Sequence, residues 1–419
     1  MKTSYLALAA SFTAGATTVA VAQDGSGPLT SGSPSGGSPG WHVVYGSTPD
    51  PGGRAIVGPG GSVRIAAEPP VRESRDPSIV ACGNSPVCGR KGGPTRSFEY
   101  RVIWDTMPGW TIAYPLDLPT QGGVWSTRFD FKEDLWVLQR NPSGVPQLFE
   151  FGPDLKLIRS FGDDVIGHQI KAHSITLDSK QNVWIADESG ATVEEMSPDG
   201  KLLKTIGVKG RPGDWVPEKG QELLWEPLTI AFGPNGDMYV GEGHGNESPN
   251  PTDSTNPENV LGDARVLHFD KNGKFINQWY GNDNGQGHFS SVHGLDVDPK
   301  NGDVYIGDRE EYRLVVYTGS GRFIRTIQLR NLACSVVFDP QGNLWVGSGM
   351  DGQVLKMDRN GKVLGALGNG PGQGEGYGTY PTGVFHETNY LTWDKQGNVW
   401  VGDSSVGRIT EFIAPKNKK

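Results

Sequence analysis

The sequence predicts an all-β protein made of repeated four-stranded sheets, and three observations support this. Short runs of alternating apolar and polar residues are separated by turns rich in Asp, Gly, Pro and Ser. These runs recur six times around one aromatic position. The chain contains 61 Gly and 30 Pro among 419 residues, which suits a turn-rich β protein. Repeated sheets that cannot bury both faces alone are typical of a β-propeller.

One repeat is clearest in residues 171–207, where four strand-like runs are separated by three turns. The aromatic position lies in the second run, in segments such as LDSKQNVWIADE and FDPQGNLWVGSG. Its six occupants are Trp136, Trp184, Tyr239, Tyr305, Trp345 and Trp400. Six copies predict a six-bladed propeller. The last copy has only three strands, so we expect SFEYRVIW, residues 97–104, to supply the fourth strand and close the ring.

Two segments precede the predicted propeller of residues 97–419. Residues 1–22 combine a lysine, an apolar stretch and Ala20-Val21-Ala22, the pattern of a cleaved secretory signal, which predicts a periplasmic or secreted protein. Residues 23–96 are rich in Gly, Ser and Pro and are expected to form a tether and a partly ordered collar. Within it, Cys82 and Cys88 are close enough in sequence to pair in an exported protein.

Charge and hydropathy disfavour nucleic-acid binding and a membrane span. The formal net charge is −9, and no basic cluster occurs beyond the terminal KNKK, which disfavours nucleic-acid binding. No stretch after the predicted signal is long and apolar enough to span a bilayer. The oligomeric state is not predicted.

The first strand of each propeller blade lines the central channel, so equivalent positions in these strands are expected at similar depth. The position about eleven residues before each aromatic is occupied by Trp125, His173, Leu228, His293, Cys334 and Asn389. His173 and His293 belong to the second and fourth blades, and Asn389 to the sixth. Two imidazoles meeting at the axis predict a metal site, with Zn²⁺ as the favoured ion. The alternative is that both histidines are hydrogen-bonded channel residues without a metal.

A second set of side chains is expected at the same end of the channel, four residues after each aromatic, where the second strand ends. Arg140 and Arg309 occupy this position in opposite blades. They predict recognition of a small carboxylate-bearing or peptide ligand, although they also suit a structural role at strand ends. Glu188 holds the same position in the second blade and is expected to be a solvated turn residue. In the third blade, His244 lies one residue after this position.

At these residues the chain resembles the NHL-repeat propellers and, within them, the catalytic core of peptidyl-α-hydroxyglycine α-amidating lyases. The resemblance covers about residues 102–412. The segments KAHSITLD and VHGLDVD are similar to the family's zinc-binding strands at His173 and His293. LWVLQRN and GDREEYRL resemble the segments of its two catalytic arginines, at Arg140 and Arg309. The family's catalytic tyrosine falls on or beside His244, to which the resemblance assigns acid–base work.

Two positions depart from the family pattern. The third zinc histidine falls on Asn389, a poor zinc ligand, unless Cys334 or His386 substitutes for it. The acidic residue that contacts calcium in the family is Tyr390 here, so the residues give Ca²⁺ no support.

Three classes of function are compatible with these residues. The first is a metal-dependent lyase that cleaves a C–N bond and releases glyoxylate. The second is a non-catalytic propeller that binds a peptide, glycan or protein across its face, which Asn389 favours. The third is a lactonase-like hydrolase, ranked last because only Glu188 supplies a carboxylate at a channel position.

Overall fold

The computed structural model describes a β-propeller, and the predicted all-β, six-bladed architecture is confirmed. The residues described are 42–45, 54–57, 63–65, 106–142, 144–162, 172–244, 264–281, 289–309, 311–329, 331–370, 383–385, 387–404 and 407–416. Within these ranges there is no α-helix, and no helix is long and apolar enough to cross a membrane. The predicted signal and both Cys82 and Cys88 lie outside the described residues.

Each blade is a four-stranded antiparallel sheet whose strands follow one another in sequence order, except in the sixth. The strands of blades one to three are Gly123–Phe129, Leu135–Arg140, Leu148–Phe151 and Leu157–Phe161; Ala172–Leu177, Val183–Asp187, Thr192–Met196 and Leu202–Gly207; Pro227–Phe232, Met238–Glu242, Arg265–Phe269 and Phe275–Trp279. Those of blades four to six are Val292–Val297, Val304–Asp308, Arg313–Tyr317 and Phe323–Gln328; Ala333–Phe338, Leu344–Ser348, Gln353–Met357 and Val363–Leu367; Thr388–Trp393, Val399–Asp403, Ile409–Ile413 and Thr111–Ala113.

Several smaller elements are not part of the six blade sheets. A hairpin of Trp215–Val216 and Gln221–Glu222, joined by a 3₁₀ turn at Pro217–Lys219, precedes blade three, and a second 3₁₀ turn spans Gly349–Asp351. Near the N-terminus, His42–Tyr45, Arg54–Val57 and Val63–Ile65 form a three-stranded sheet. The hydrophobic core lies between neighbouring blades, where Trp184 and Ile206 of blade two share one cluster with Ile230 of blade three.

The fourth strand of blade six is Thr111–Ala113, which pairs with Ile409–Ile413. Thr111–Ala113 therefore holds the place that was predicted for residues 97–104, which themselves lie outside the described residues. The closing strand has only three residues, of which Thr111 is exposed and the other two are partly buried. So short a run carries little periodic signal, and local sequence therefore favours the more apolar segment before it.

A hydrogen-bonded turn explains why the aromatic repeat is so regular. In blade five, Asp339 accepts hydrogen bonds from the backbone N–H groups of Gln341 and Asn343, from the Asn343 side chain, and from the indole of Trp345 at 2.9 Å. Asp178 and Asp394 make the equivalent turns in blades two and six. The spacing Asp-x-x-x-Asn-x-Trp therefore fixes both the turn and the register of the second strand.

We expect Asp339→Ala to lower the free energy of unfolding by about 2 to 3 kcal/mol, because it leaves a buried indole and two backbone donors without their charged acceptor. Asp130→Ala is the matched control. Asp130 accepts two backbone N–H groups, but the Trp136 indole beside it has no partner among the described residues. Chemical denaturation of the two variants measures the difference, and an equal loss in both would contradict the assigned role of the indole bond.

Buried charges at the ends of second strands are neutralised in two blades. In blade three Glu242 pairs with Arg265, and in blade four Asp308 pairs with Arg313; all four side chains are fully buried. In blade two the corresponding carboxyl group is that of Asp187, whose Oδ2 is buried without a hydrogen-bond partner in the part of the chain that the structure describes.

Blade two thus carries two buried carboxyl groups, Asp187 and Glu194, that have no ion-pair partner among the described residues. Asp187 accepts the Gly190 N–H, Glu194 accepts the Thr192 hydroxyl, and the second oxygen of each carboxyl group has no partner among the described residues. Burial raises the pKa of Asp187 to about 6. Burial, with the neighbouring charge of Asp187, raises the pKa of Glu194 to about 8.

Because folding raises the pKa of Glu194, the folded chain keeps a proton that the unfolded chain has lost, and its stability falls as the pH rises from about 4.5 to about 8. We therefore expect Glu194→Gln to lose less stability than the native protein between pH 5 and pH 8. Denaturation at both pH values measures this. Glu195→Gln, on the opposite side of the same strand, should follow the native profile. A Glu194→Gln profile parallel to the native one would contradict the prediction.

Candidate functional site

Three histidines meet at one mouth of the central channel. His173 lies on the first strand of blade two and His293 on that of blade four, and His244 lies two residues after the second strand of blade three. The Nε2 atoms of His173 and His293 are 3.2 Å apart. His244 joins them in a buried cluster in which one ligand nitrogen from each ring lies within 4.8 Å of the others. A β-bridge between His244 and Ser291 holds this loop against the entrance of blade four.

The outer nitrogen of each ring faces an oxygen atom. His173 Nδ1 is 2.8 Å from the Leu228 carbonyl, His293 Nδ1 is 2.7 Å from the Cys334 carbonyl, and His244 Nδ1 is 3.2 Å from Glu188 Oε1. Carbonyl and carboxylate oxygens only accept, so each Nδ1 carries the proton and each Nε2 keeps a lone pair. The lone pairs of His173 and His293 therefore face one another.

Both channel histidines are held neutral. Burial, reinforced by neighbouring His293 and Arg140, holds the pKa of His173 well below its usual value. Burial, reinforced by Arg309 and His244, does the same for the pKa of His293. Neutral imidazoles whose outer nitrogen donates to an oxygen are the form in which histidine binds metal ions.

Arg140 is held by contacts from three neighbouring residues. Its guanidinium stacks on Trp125 at 3.3 Å from the ring centre, donates to the Ala172 carbonyl at 3.1 Å, and forms an ion pair with Glu188. Glu188 also accepts from His244. The expectation that Glu188 is a solvated turn residue is wrong, because it is 3% exposed and bridges Arg140 to the histidine cluster.

Arg309 is also paired with a carboxylate. Its Nη2 donates to Glu387 Oε1 at 2.8 Å, and its Nη1 is 3.4 Å from His244 Nε2. Glu387 further accepts from the Cys334 thiol at 3.1 Å and from the Ser404 hydroxyl at 3.0 Å. Burial alone would raise the pKa of Glu387, but Arg309, followed by His293 and the Cys334 thiol, overcomes it and holds the pKa at about 2.

Cys334 and Asn389 lie buried in the same channel ring as the histidines. Burial, and then the charge of Glu387, raises the pKa of the Cys334 thiol well above its usual value, so the thiol stays protonated and donates to Glu387. Asn389 Oδ1 is buried and has no hydrogen-bond partner among the described residues. His386, the other candidate to replace the third histidine, lies outside the described residues.

The two sets of positions defined relative to the repeated aromatic thus lie at one mouth of the channel, where they bring together His173, His293, Arg140 and Arg309. His244 was expected there as an acid–base group; its Nδ1 faces an oxygen, as in His173 and His293, and it joins their cluster, while its Nε2 lies 3.4 Å from Arg309 Nη1. Glu387 was missed, because it lies just before its strand and outside both sets of positions. The sequence signal that could have identified Glu387 is its acidic side chain at the start of a channel strand, where an arginine such as Arg309 would need a charged partner.

The fold and this mouth define a six-bladed β-propeller with a three-histidine cluster at one end of its channel. A family described as "6-bladed beta-propeller" matches residues 260–364. The chain has sequence homologues among the amidating enzymes. It is 27% identical over 165 residues to mouse peptidyl-glycine α-amidating monooxygenase, covering 37% of this chain and 14% of that protein. It is 30% identical over 132 residues to a Drosophila melanogaster peptidyl-α-hydroxyglycine α-amidating lyase, covering 31% of this chain and 19% of that protein.

These matches span at most about a fifth of the amidating enzymes' length. A longer match, 25% identical over 242 residues, is to human NHL repeat-containing protein 3, with 54% of this chain and 62% of that protein covered. Among solved structures, a gluconolactonase from Xanthomonas campestris aligns over 74% of this chain and 91% of its own, with a TM-score of 0.51 and 12% identity. That likeness concerns the fold alone.

Proposed function

We propose that the histidine cluster is a divalent-metal centre and that the protein is a metal-dependent lyase, cleaving peptidyl-α-hydroxyglycine-like substrates to an amide and glyoxylate. The observation that carries this proposal is the 3.2 Å contact between the Nε2 atoms of His173 and His293, whose Nδ1 protons are both committed to carbonyl oxygens. Two buried lone pairs at this distance repel each other unless a cation lies between them.

The residues present fit such an ion. His173, His293 and His244 would hold it, each through the nitrogen opposite an oxygen-bonded Nδ1. Asn389 Oδ1, which has no hydrogen-bond partner among the described residues, would be a weaker donor. A bound ion such as Zn²⁺ would supply Lewis-acid and template chemistry.

The chain's own groups would then bind the substrate and move one proton. Arg140 and Arg309 flank the cluster and are charged donors for the substrate carboxylate. A substrate carboxylate at Arg140 would compete with Glu188 for the guanidinium, and Glu188 would accept the proton of the α-hydroxyl group. The hydroxyl oxygen becomes the aldehyde oxygen of glyoxylate as the C–N bond breaks. The same proton then passes to the leaving amide nitrogen, so the reaction consumes no further reactant.

The direct test is glyoxylate release from an N-acyl-α-hydroxyglycine by purified protein supplied with Zn²⁺. Time-dependent glyoxylate above the uncatalysed rate supports the lyase. A chelated sample should lose the activity and recover it on adding the ion. Protein that binds the ion in stoichiometric amount yet releases no glyoxylate would overturn the lyase proposal while keeping the metal centre.

The second candidate is a non-catalytic binding propeller. It is favoured by the pairing of both arginines, Arg140 with Glu188 and Arg309 with Glu387, which partly neutralises the charge that a carboxylate ligand would meet. Elemental analysis separates the two candidates, since a binding propeller needs no ion. We further propose export, from the signal-like residues 1–22, and fractionation of cells that produce the full chain tests it.

A further inference from the structure

A second cavity lies at the opposite mouth of the channel, where the first strands of all six blades end. Its volume is about 480 Å³, within the range of small-molecule sites. Each blade contributes one residue of its first strand, at an equivalent position, to a ring around this cavity. These positions lie two residues after the position that Tyr390 occupies in blade six, so both sets of side chains are on the same side of the strands. The six are Arg128, Thr176, Ala231, Asp296, Val337 and Thr392.

The charges of this ring lie on opposite sides. Arg128 belongs to blade one and Asp296 to blade four, half a turn away around the channel. Each appears among the electrostatic influences on the other, yet no hydrogen bond or ion pair joins them among the described residues. A gap bounded by one positive and one negative group therefore remains across the channel.

The groups next to each charge match it. Arg128 Nη1 donates to the Thr127 and Leu391 carbonyls, at 2.8 Å and 3.3 Å, which leaves Nε and Nη2 for another acceptor. The hydroxyl-bearing Thr176 and Thr392 come from the blades on either side of Arg128. Arginine with flanking hydroxyls is a typical carboxylate-binding set.

The opposite side suits an amine. Asp296 accepts one backbone N–H at each oxygen, from Val297 at 2.8 Å and from Phe338 at 2.7 Å. Further lone pairs remain on both oxygens, because a carboxylate accepts about four hydrogen bonds. Its neighbours in the ring are the small apolar Ala231 and Val337, which offer no competing donor.

Tyr390 separates this cavity from the histidine cluster. Its hydroxyl donates to the His293 carbonyl at 2.8 Å, and its ring lies 5.7 Å from the Arg128 guanidinium and 6.0 Å from the His173 ring. The two mouths of the channel are thus distinct sites.

We propose that the opposite cavity binds a small zwitterion, a free amino acid or a short peptide, with its carboxylate at Arg128 and its ammonium group at Asp296. This site does not depend on the proposed lyase activity and is present in the metal-free protein.

The test is calorimetric titration of the full chain, at pH 7, where peptide amino groups remain protonated, with glycine, diglycine and triglycine, which distinguish an amino acid from a peptide by the separation of their charges. N-acetyl-diglycine and diglycinamide each lack one charge. We expect the zwitterion that binds best to bind at least about tenfold more tightly than its capped probes. For diglycine or triglycine these probes are N-acetyl-diglycine and diglycinamide, and for glycine they are acetylglycine and glycinamide. Asp296→Asn should remove the preference for a free amine and leave the carboxylate requirement intact.

Two further variants keep the proposal testable if Asp296→Asn fails to fold. Val337→Phe fills the cavity and should weaken binding at least about tenfold, whereas Lys180→Ala, an exposed change on the same face, should leave it unchanged. The proposal is overturned if no zwitterion binds, if the capped probes bind equally well, or if Val337→Phe binds like the native protein.

Discussion

Replacing His293 with alanine is expected to weaken Zn²⁺ binding by more than about a hundredfold and to abolish glyoxylate release. The residue supplies one of two Nε2 lone pairs that face each other at 3.2 Å, and its Nδ1 is fixed by the Cys334 carbonyl. Loss of a residue that merely orients a metal ligand costs about 10- to 100-fold in affinity, so loss of the ligand itself should cost more. Competition with a chromophoric chelator measures the affinity without relying on activity.

The matched control is His268→Ala. His268 is also a buried histidine, but it stacks on Tyr239 at 4.4 Å and hydrogen-bonds Asp237 and Asn277, away from the channel. Its loss should affect stability and leave zinc affinity unchanged. Undiminished stoichiometric zinc in His293→Ala would remove the metal centre from the proposal.

His244 and Asn389 extend this test to the third ligand. If His244 is a donor, His244→Ala should weaken zinc binding, and adding Asn389→His should restore part of it, because position 389 lies in the same channel ring as His173 and His293. If His244→Ala instead keeps full affinity but loses turnover, its role is the acid–base one that the resemblance assigned to it.

The second large effect is expected from Asp308→Asn, which should lower the free energy of unfolding by about 3 to 5 kcal/mol, because it removes the charge that pairs with the fully buried guanidinium of Arg313. Asp308 and Arg313 form an ion pair in which both side chains are fully buried. Asp308 Oδ1 also accepts the N–H groups of Ser290 and Ser291, which lead into the strand of His293. We therefore expect weaker zinc binding as well.

Chemical denaturation and the same chelator competition measure both effects. Asp154 is a suitable comparison, because its ion pair with Lys156 is exposed and its loss should leave stability within error of the native protein. A small change in Asp308→Asn would mean that Arg313 finds another acceptor or that water reaches the pair.

The fold could be predicted because the same local sequence pattern forms the same turn in several blades. Asp178, Asp339 and Asp394 cap the same turn and bind the same indole, so the aromatic marks the strand register wherever it occurs. The placement of His173 and His293 followed from that register alone. The partners of these histidines did not, because Glu188, His244 and Glu387 lie just outside their strands, and their approach depends on the packing between blades.

Contacts that are distant in sequence also explain the two expectations that were wrong. Glu188 resembles a turn residue because its neighbours are polar, but the blade-to-blade contact buries it between Arg140 and His244. The closing strand was misplaced because Thr111–Ala113 is too short for its period to be read, and pairing with Ile409–Ile413 rather than local sequence makes it a strand.

That closing strand has a consequence for the order of the blades. Since Thr111–Ala113 lies beside Ile409–Ile413, the two ends of the ring are neighbours in the same sheet. A circularly permuted chain, with these ends linked and new termini placed in a turn between two other blades, would keep every interblade interface. The structure therefore requires the cyclic order of the six blades but does not require that any particular blade come first in the chain.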